Sequence, residues 1–197
     1  SAVDVARRFL SVFSVTLPPV ATRPAAGSPN AQARAGPAVD METTRHFTAT
    51  TYVVNEGATA LHAHERLGIR LPPGGHVDRD ELPHEAALRE VREETGLEAE
   101  LVATESPITG PNTRGIPEPA HLMLHDINVH EDGSVGHQHI DHLYYAQVES
   151  RAIAPSGADE VDPDDWEWYT RAELAASDLQ PDVVDLGREA IAAVDGA

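Results

Sequence analysis

Gly75 to Leu97 reads GHVDRDELPHEAALREVREETGL, and the second half of this stretch has the marks of one helix. Pro83 suits a first turn, where its missing amide proton leaves no hydrogen bond unmade. Gly96 stands where a left-handed residue ends a helix, with apolar Leu97 just beyond. These signals predict a helix from about Leu82 to Thr95.

On such a helix, residues three and four apart share a face, so Glu90, Glu93 and Glu94 are expected to project toward one place while Ala87, Leu88 and Val91 point away. Carboxylates this close repel one another and raise one another's pKa unless a cation lies between them. All-oxygen donors favour a hard ion, Mg²⁺ or Mn²⁺, which is held by few carboxylates while substrate phosphates and water complete its shell. Arg89, four residues before Glu93, is placed to pair with a carboxylate. The plainer alternative, a solvated acidic helix, would not also require Gly75, Glu81 and Gly96 at fixed offsets.

The stretch resembles the signature of the Nudix hydrolases, G-x5-E-x7-R-E-U-x-E-E-x-G-U with U a bulky apolar residue. It fits at Gly75, Glu81, Arg89, Glu90, Val91, Glu93, Glu94, Gly96 and Leu97 without a departure. So many fixed positions in one loop and helix make the pattern far more specific than a lone glycine motif. The resemblance implies an α/β fold, an α/β/α sandwich with a mixed β-sheet. It also implies a Mg²⁺-dependent pyrophosphohydrolase that cuts a nucleoside diphosphate linked to another moiety. ADP-ribose, an oxidised or ordinary nucleoside triphosphate and a dinucleoside polyphosphate are the substrate types it suggests. Glu90, Glu93 and Glu94 would then be metal ligands, joined by a carbonyl of the Gly74-Gly75 turn, with Arg89 orienting them and Glu81 supporting from behind. A carboxylate of the set, or Glu149 or His139 outside it, would take the proton from the attacking water. The same fold also serves non-catalytic nucleotide-binding regulators, against which the intact acidic set counts. An isomerase relative would be expected to bring a nucleophilic cysteine, and the chain has none.

Composition narrows the partners. The chain of 197 residues has 33 acidic residues against 14 basic ones, every basic residue is arginine, and the net charge is -19. Such a surface argues against nucleic acid, whose backbone is bound by clustered Lys and Arg, and leaves a small-molecule nucleotide as the expected partner. A homodimer is compatible with it. Acidic, lysine-poor surfaces also suit a salty cytoplasm, which we take as the expected location. Without cysteine there is no disulfide framework and no Cys-ligated zinc.

Residues 1–40 differ from the rest. Arg7 and Arg8 precede an apolar run from Phe9 to Leu17, then Pro18, Pro19 and a stretch rich in Ala, Pro, Gly and Ser. That order imitates a secretory signal, yet the run is too short to span a bilayer and nucleotide substrates are cytoplasmic. The expectation is an N-terminal extension over 1–40, flexible or non-native and arising from an upstream reading of the start codon, ahead of a catalytic domain over 41–197.

Within that domain, His46 to Val54 and Thr59 to His64 read as strands joined by a turn, and Gly68 to Pro73 as a short strand leading into Gly74-Gly75. That glycine pair is either a plain tight turn or a place where backbone approaches a metal or phosphate, and both can hold. Leu97 to Thr104, Ala120 to His130, Gln138 to Val148 and Asp165 to Tyr169 are further expected strands, with a long loop over 105–119. Thr170 is expected to cap a short helix to Ala176, and Pro181 to open a closing helix.

His137, His139 and Asp141 alternate along one strand and so share a face. Three readings stay open for them: a transition-metal site, a substrate-binding face including His139 and Asp141, or polar residues on solvated sheet.

Overall fold

The computed structural model describes residues 42–64, 68–156 and 160–196, so the expected extension over 1–40 lies outside it. The sheet is built around β1 (Thr44–Asn55), whose run of β-branched and aromatic residues fits a buried, pleated strand. On one side β1 runs parallel to β7 (Val135–Val148), from Thr44↔His137 to Val54↔Gln147. On its other side it pairs antiparallel with β2 (Ala58–His64) at its C-terminal end and with β4 (Gly74–His76) nearer its middle. β2 in turn carries β3 (Ile69–Leu71) and β8 (Trp166–Thr170), and β7 carries β5 (Ala99–Leu101) and β6 (His121–Val129). The result is an eight-stranded mixed sheet.

Alternation along β1 feeds two cores. Ala49 and Val53 face α1 (Pro83–Thr95), against Ala86, Ala87 and Val91. Tyr52 and Val54 face the opposite side, against Leu174 of α2 (Arg171–Ala176) and Val183, Ala190 and Ile191 of α3 (Pro181–Asp195). Helices therefore cover both faces, which is the α/β/α sandwich expected. Among the described residues no helix is long and apolar enough to cross a membrane.

The caps of α1 explain its limits. Glu85 accepts the Leu82 N–H at 2.9 Å, and Gly96, at φ 70°, donates its N–H to Arg92 O at 2.9 Å. Thr170 caps α2 as expected, with Glu173 returning the bond to its backbone N–H. Most strand limits shift by one or two residues; the larger shifts are in β5, which spans only three residues, and β7, which starts at Val135. The larger difference is β4, read from sequence as a turn. Its two glycines lack strand propensity, and it exists because β1 supplies the ladder: Thr48↔His76, Ala49↔Gly75 and Thr50↔Gly74.

Candidate active site

α1 presents Glu90 and Glu94 to the sheet, and both are buried, 4% and 2% exposed. The expected division of the helix into a carboxylate face and an apolar face is not what forms. A spacing of 3.6 residues carries Ala87, Val91 and Glu94 down nearly one line with Glu90 beside it, so two carboxylates share the buried stripe. Glu93 sits farther round and is about half exposed.

β4 makes room for them. Gly74 donates its N–H to Glu94 Oε1 at 3.2 Å, and Gly75 lies so close to Glu90 that a β-carbon there would stand 2.6 Å from Glu90 Cδ. Only glycine leaves that space open. Arg89 ties the set together. Its Nε and Nη2 grip Glu81 in a two-pronged pair at 2.9 and 3.0 Å, while Nη1 donates to Glu90 Oε1 at 2.8 Å and Glu93 Oε2 at 3.0 Å. Nη2 also donates to the carbonyl of His76 at 3.0 Å, which fastens the helix to β4. Glu81 accepts the Asp78 N–H at 3.3 Å, so the loop before α1 is held by the same residue that orients Arg89.

Electrostatics separate these carboxylates. Burial pushes Glu90 up to about 7; the Arg89 charge and hydrogen bond pull it back, and the Glu93 charge adds to the rise. Glu94 is raised well above the usual range, first by burial and then by the charge of Glu90, with the Gly74 amide partly offsetting both. At Glu81 burial also acts upward, but the Arg89 and Asp78 hydrogen bonds outweigh it and the carboxyl falls below its ordinary value.

Two adjacent buried carboxyls, beside a glycine whose missing side chain leaves them space, are a fitting donor set for a hard divalent ion. Glu90, Glu94 and the more open Glu93 are the residues that could hold it. Gly74 and Gly75, the other candidates, lie against those same carboxylates.

His139 and Asp141 are buried, each 2% exposed, which sets aside the solvated-face reading for these two. Thr48 and Thr50 donate to Asp141 Oδ1 at 2.8 and 3.0 Å. A small cavity of about 110 Å³ is lined by His139, Asp141 and Thr50 together with Gly74 and Gly75, so these residues share a space with the backbone of β4. His139 is pushed down to about 3 by burial and then by the neighbouring His76, His137 and His46. Glu149 is exposed and lies just past the end of β7, whereas Asp141 lies beside Thr48 at the level of His76.

Most other residues of the site carry no local signal in sequence. His62 of β2 reaches within 4.0 Å of Glu94, and burial pushes it down to about 4. A larger cavity of about 860 Å³ opens beside β4, with Arg45, His46, His76, Asp78 and Arg79 in its wall. His76 follows Gly75 directly and was open to notice; His46 and His62 meet the site only through strand pairing.

A NUDIX-family hydrolase of known structure shares this architecture. A NUDIX domain family model matches residues 44–190, well over half of the chain. Among solved structures, a NUDIX-family hydrolase from Clostridium perfringens is 29% identical with a TM-score of 0.62, covering 77% of this chain and 99% of that one. A MutT NUDIX hydrolase from Burkholderia pseudomallei is 20% identical with a TM-score of 0.46, over 77% of this chain and 98% of that one. The matched model and the complete signature, set in this fold around one carboxylate site, place the chain in the NUDIX hydrolase family.

Proposed function

We propose that this chain is a Mg²⁺-dependent pyrophosphohydrolase of free nucleotides, cutting a nucleoside diphosphate linked to another moiety. The oxygen of water bonds to one phosphorus while the bridging oxygen leaves with the other, so each product keeps a phosphate. The observation that carries this reading is the pair Glu90 and Glu94, buried and pushed up in pKa around the space that Gly75 leaves open. When bound there, a divalent ion neutralises diphosphate charge and lowers the pKa of water. Glu90, Glu93 and Glu94 hold it, Arg89 fixes the positions of Glu90 and Glu93, and Glu81 fixes Arg89. A carboxylate of this set takes the proton from water.

The cavity of about 860 Å³ beside β4 has the size of a nucleotide site, and Arg45 and Arg79 in its wall offer positive charge to phosphate. An acidic chain with no lysine supports a free nucleotide in the cytoplasm rather than nucleic acid.

The test is separation and identification by anion-exchange chromatography of the products formed from ADP-ribose, oxidised dGTP and a dinucleoside polyphosphate, each in EDTA and then with Mg²⁺ or Mn²⁺ restored. Hydrolysis of at least one, lost in chelator and regained with metal, is expected. Full activity with the metal shown to be absent would overturn the reading, and tight nucleotide binding without cleavage would make the chain a regulator instead.

A further inference from the structure

Four imidazoles gather beside the carboxylate site. His46 belongs to β1, His76 to β4, and His137 and His139 to β7; the register sets His46 next to His139, and Thr48, two residues on, next to His76. One ring nitrogen of each lies within 4.8 Å of the corresponding atom of every other. The rings form a closed square. Neighbouring centroids are 5.4 Å apart for His46 and His76, 4.9 Å for His76 and His139, 4.9 Å for His139 and His137, and 4.7 Å for His137 and His46. Their planes cross at 67° to 87° around the square, so ring edges, which carry the nitrogens, meet the neighbouring rings.

The spacing suits a metal. In a tetrahedral site with metal–nitrogen bonds of about 2.0–2.1 Å, ligand nitrogens stand roughly 3.3 Å apart. The His137 and His139 Nε2 atoms are 2.9 Å apart, and His46 Nδ1 and His76 Nε2 are 3.4 Å apart, on either side of that value. One nitrogen from each of the four rings lies within 4.8 Å of the others, so no pair of that set need close by more than about 1.5 Å. Imidazole nitrogens are ligands for zinc, copper or nickel rather than for magnesium.

We propose that His46, His76, His137 and His139 form a binding site for one divalent transition-metal ion of the Zn²⁺ class, separate from the carboxylate site of α1. This keeps His137 and His139 from the His-x-His-x-Asp pattern and leaves out Asp141, whose Oδ1 is held by Thr48 and Thr50. The ion joins β1, β4 and β7 at one point. Because His76 directly follows Gly75, it also anchors the strand on which Glu90 rests. His46 is exposed and, with His76 and His137, lines the large cavity, so an ion can enter from solvent.

The test uses the full chain, stripped of metal and then held in excess Mg²⁺, with Zn²⁺ added in a calorimetric titration. One zinc per chain is expected, with a rise in melting temperature beyond that given by Mg²⁺. His46→Gln with His137→Gln should weaken zinc binding by ~100-fold or more, since even outer partners of a ligand carry roughly 10- to 100-fold. Glu93→Gln should leave zinc affinity unchanged. Failure of the parent to bind zinc, binding unaltered in the histidine double variant, or loss in Glu93→Gln in its place would each overturn the proposal. Should the double variant not fold, electron paramagnetic resonance of the parent with Cu²⁺ decides: splitting from several imidazole nitrogens supports the site, and an oxygen-only spectrum overturns it. None of these readouts depends on hydrolysis, so they stand apart from the test of pyrophosphohydrolase activity.

Discussion

Glu90 rests against the bare Cα of Gly75, so closely that a β-carbon added there would overlap its Oε1 and stand 2.6 Å from its Cδ. Backbone and an arginine therefore flank that carboxylate. Arg89 Nη1 donates to the same Oε1 at 2.8 Å, which fixes where the charge stands relative to β4.

Gly75→Ala should separate chemistry from stability. The atoms in the way are the far end of a side chain, so the fold can absorb the methyl group by displacing the carboxylate. Displacing a catalytic group by about 1 Å costs on the order of 10²-fold in turnover. We expect that loss with a melting temperature close to the parent's, measured with saturating Mg²⁺. A variant with parental turnover would show that the position of Glu90 does not matter.

Gly96→Ala should do the reverse. Gly96 holds φ 70°, and a β-carbon there would meet the backbone of Ala154, its carbonyl carbon at 2.9 Å, which cannot rotate aside. Backbone strain alone costs about 1–3 kcal/mol, and the clash adds to it. Urea unfolding should register the full loss, while the fraction that remains folded hydrolyses substrate at nearly the parental rate. An unchanged midpoint would show that the segment carrying Ala154 moves freely.

These two glycines also mark what was legible in the sequence. Each stands at a fixed offset from Arg89 and the glutamates, and that local spacing placed α1, its end and its carboxylates. What the spacing did not carry is register. β4 is a strand only because β1 offers Thr48 to Thr50 as partners, and His46 and His62 come to the site from strands that no short pattern links to α1. The same holds for the buried side of the helix. Periodicity groups Glu90 with Glu94, but only the packing of Ala87 and Val91 on the sheet shows that both carboxylates are buried while Glu93 is not.

Arg89→Lys should weaken the fold although charge is kept. A lysine has one donor centre and cannot grip Glu81 with two bonds while serving Glu90, Glu93 and the carbonyl of His76. The Arg89 side chain is 28% exposed, so the loss should be about 2 kcal/mol, below that of breaking a fully buried pair. A double-mutant cycle with Glu81→Gln checks the cause. The two changes together should cost clearly less than their sum, because both remove the same interaction. Additive losses would mean that Arg89 acts on stability through something other than Glu81.

Glu94→Gln should lower turnover far more than it lowers stability. The side chain is close to isosteric, and its amide oxygen can still accept the Gly74 N–H that Glu94 Oε1 accepts at 3.2 Å. In metal-free protein the change removes a buried carboxyl from beside Glu90, whose charge acts on it unfavourably, so the melting temperature should equal or exceed the parent's. With metal present, one fewer ligand means less stabilisation of the transition state, and a fall of ~10²-fold or more in turnover is expected. Mg²⁺ should then raise the melting temperature of the parent more than that of the variant. The comparison is made at saturating metal and high salt, with both proteins melted in EDTA and in Mg²⁺. A variant that keeps the parental turnover and the parental response to Mg²⁺ would mean that Glu94 holds β4 through Gly74 and binds no ion.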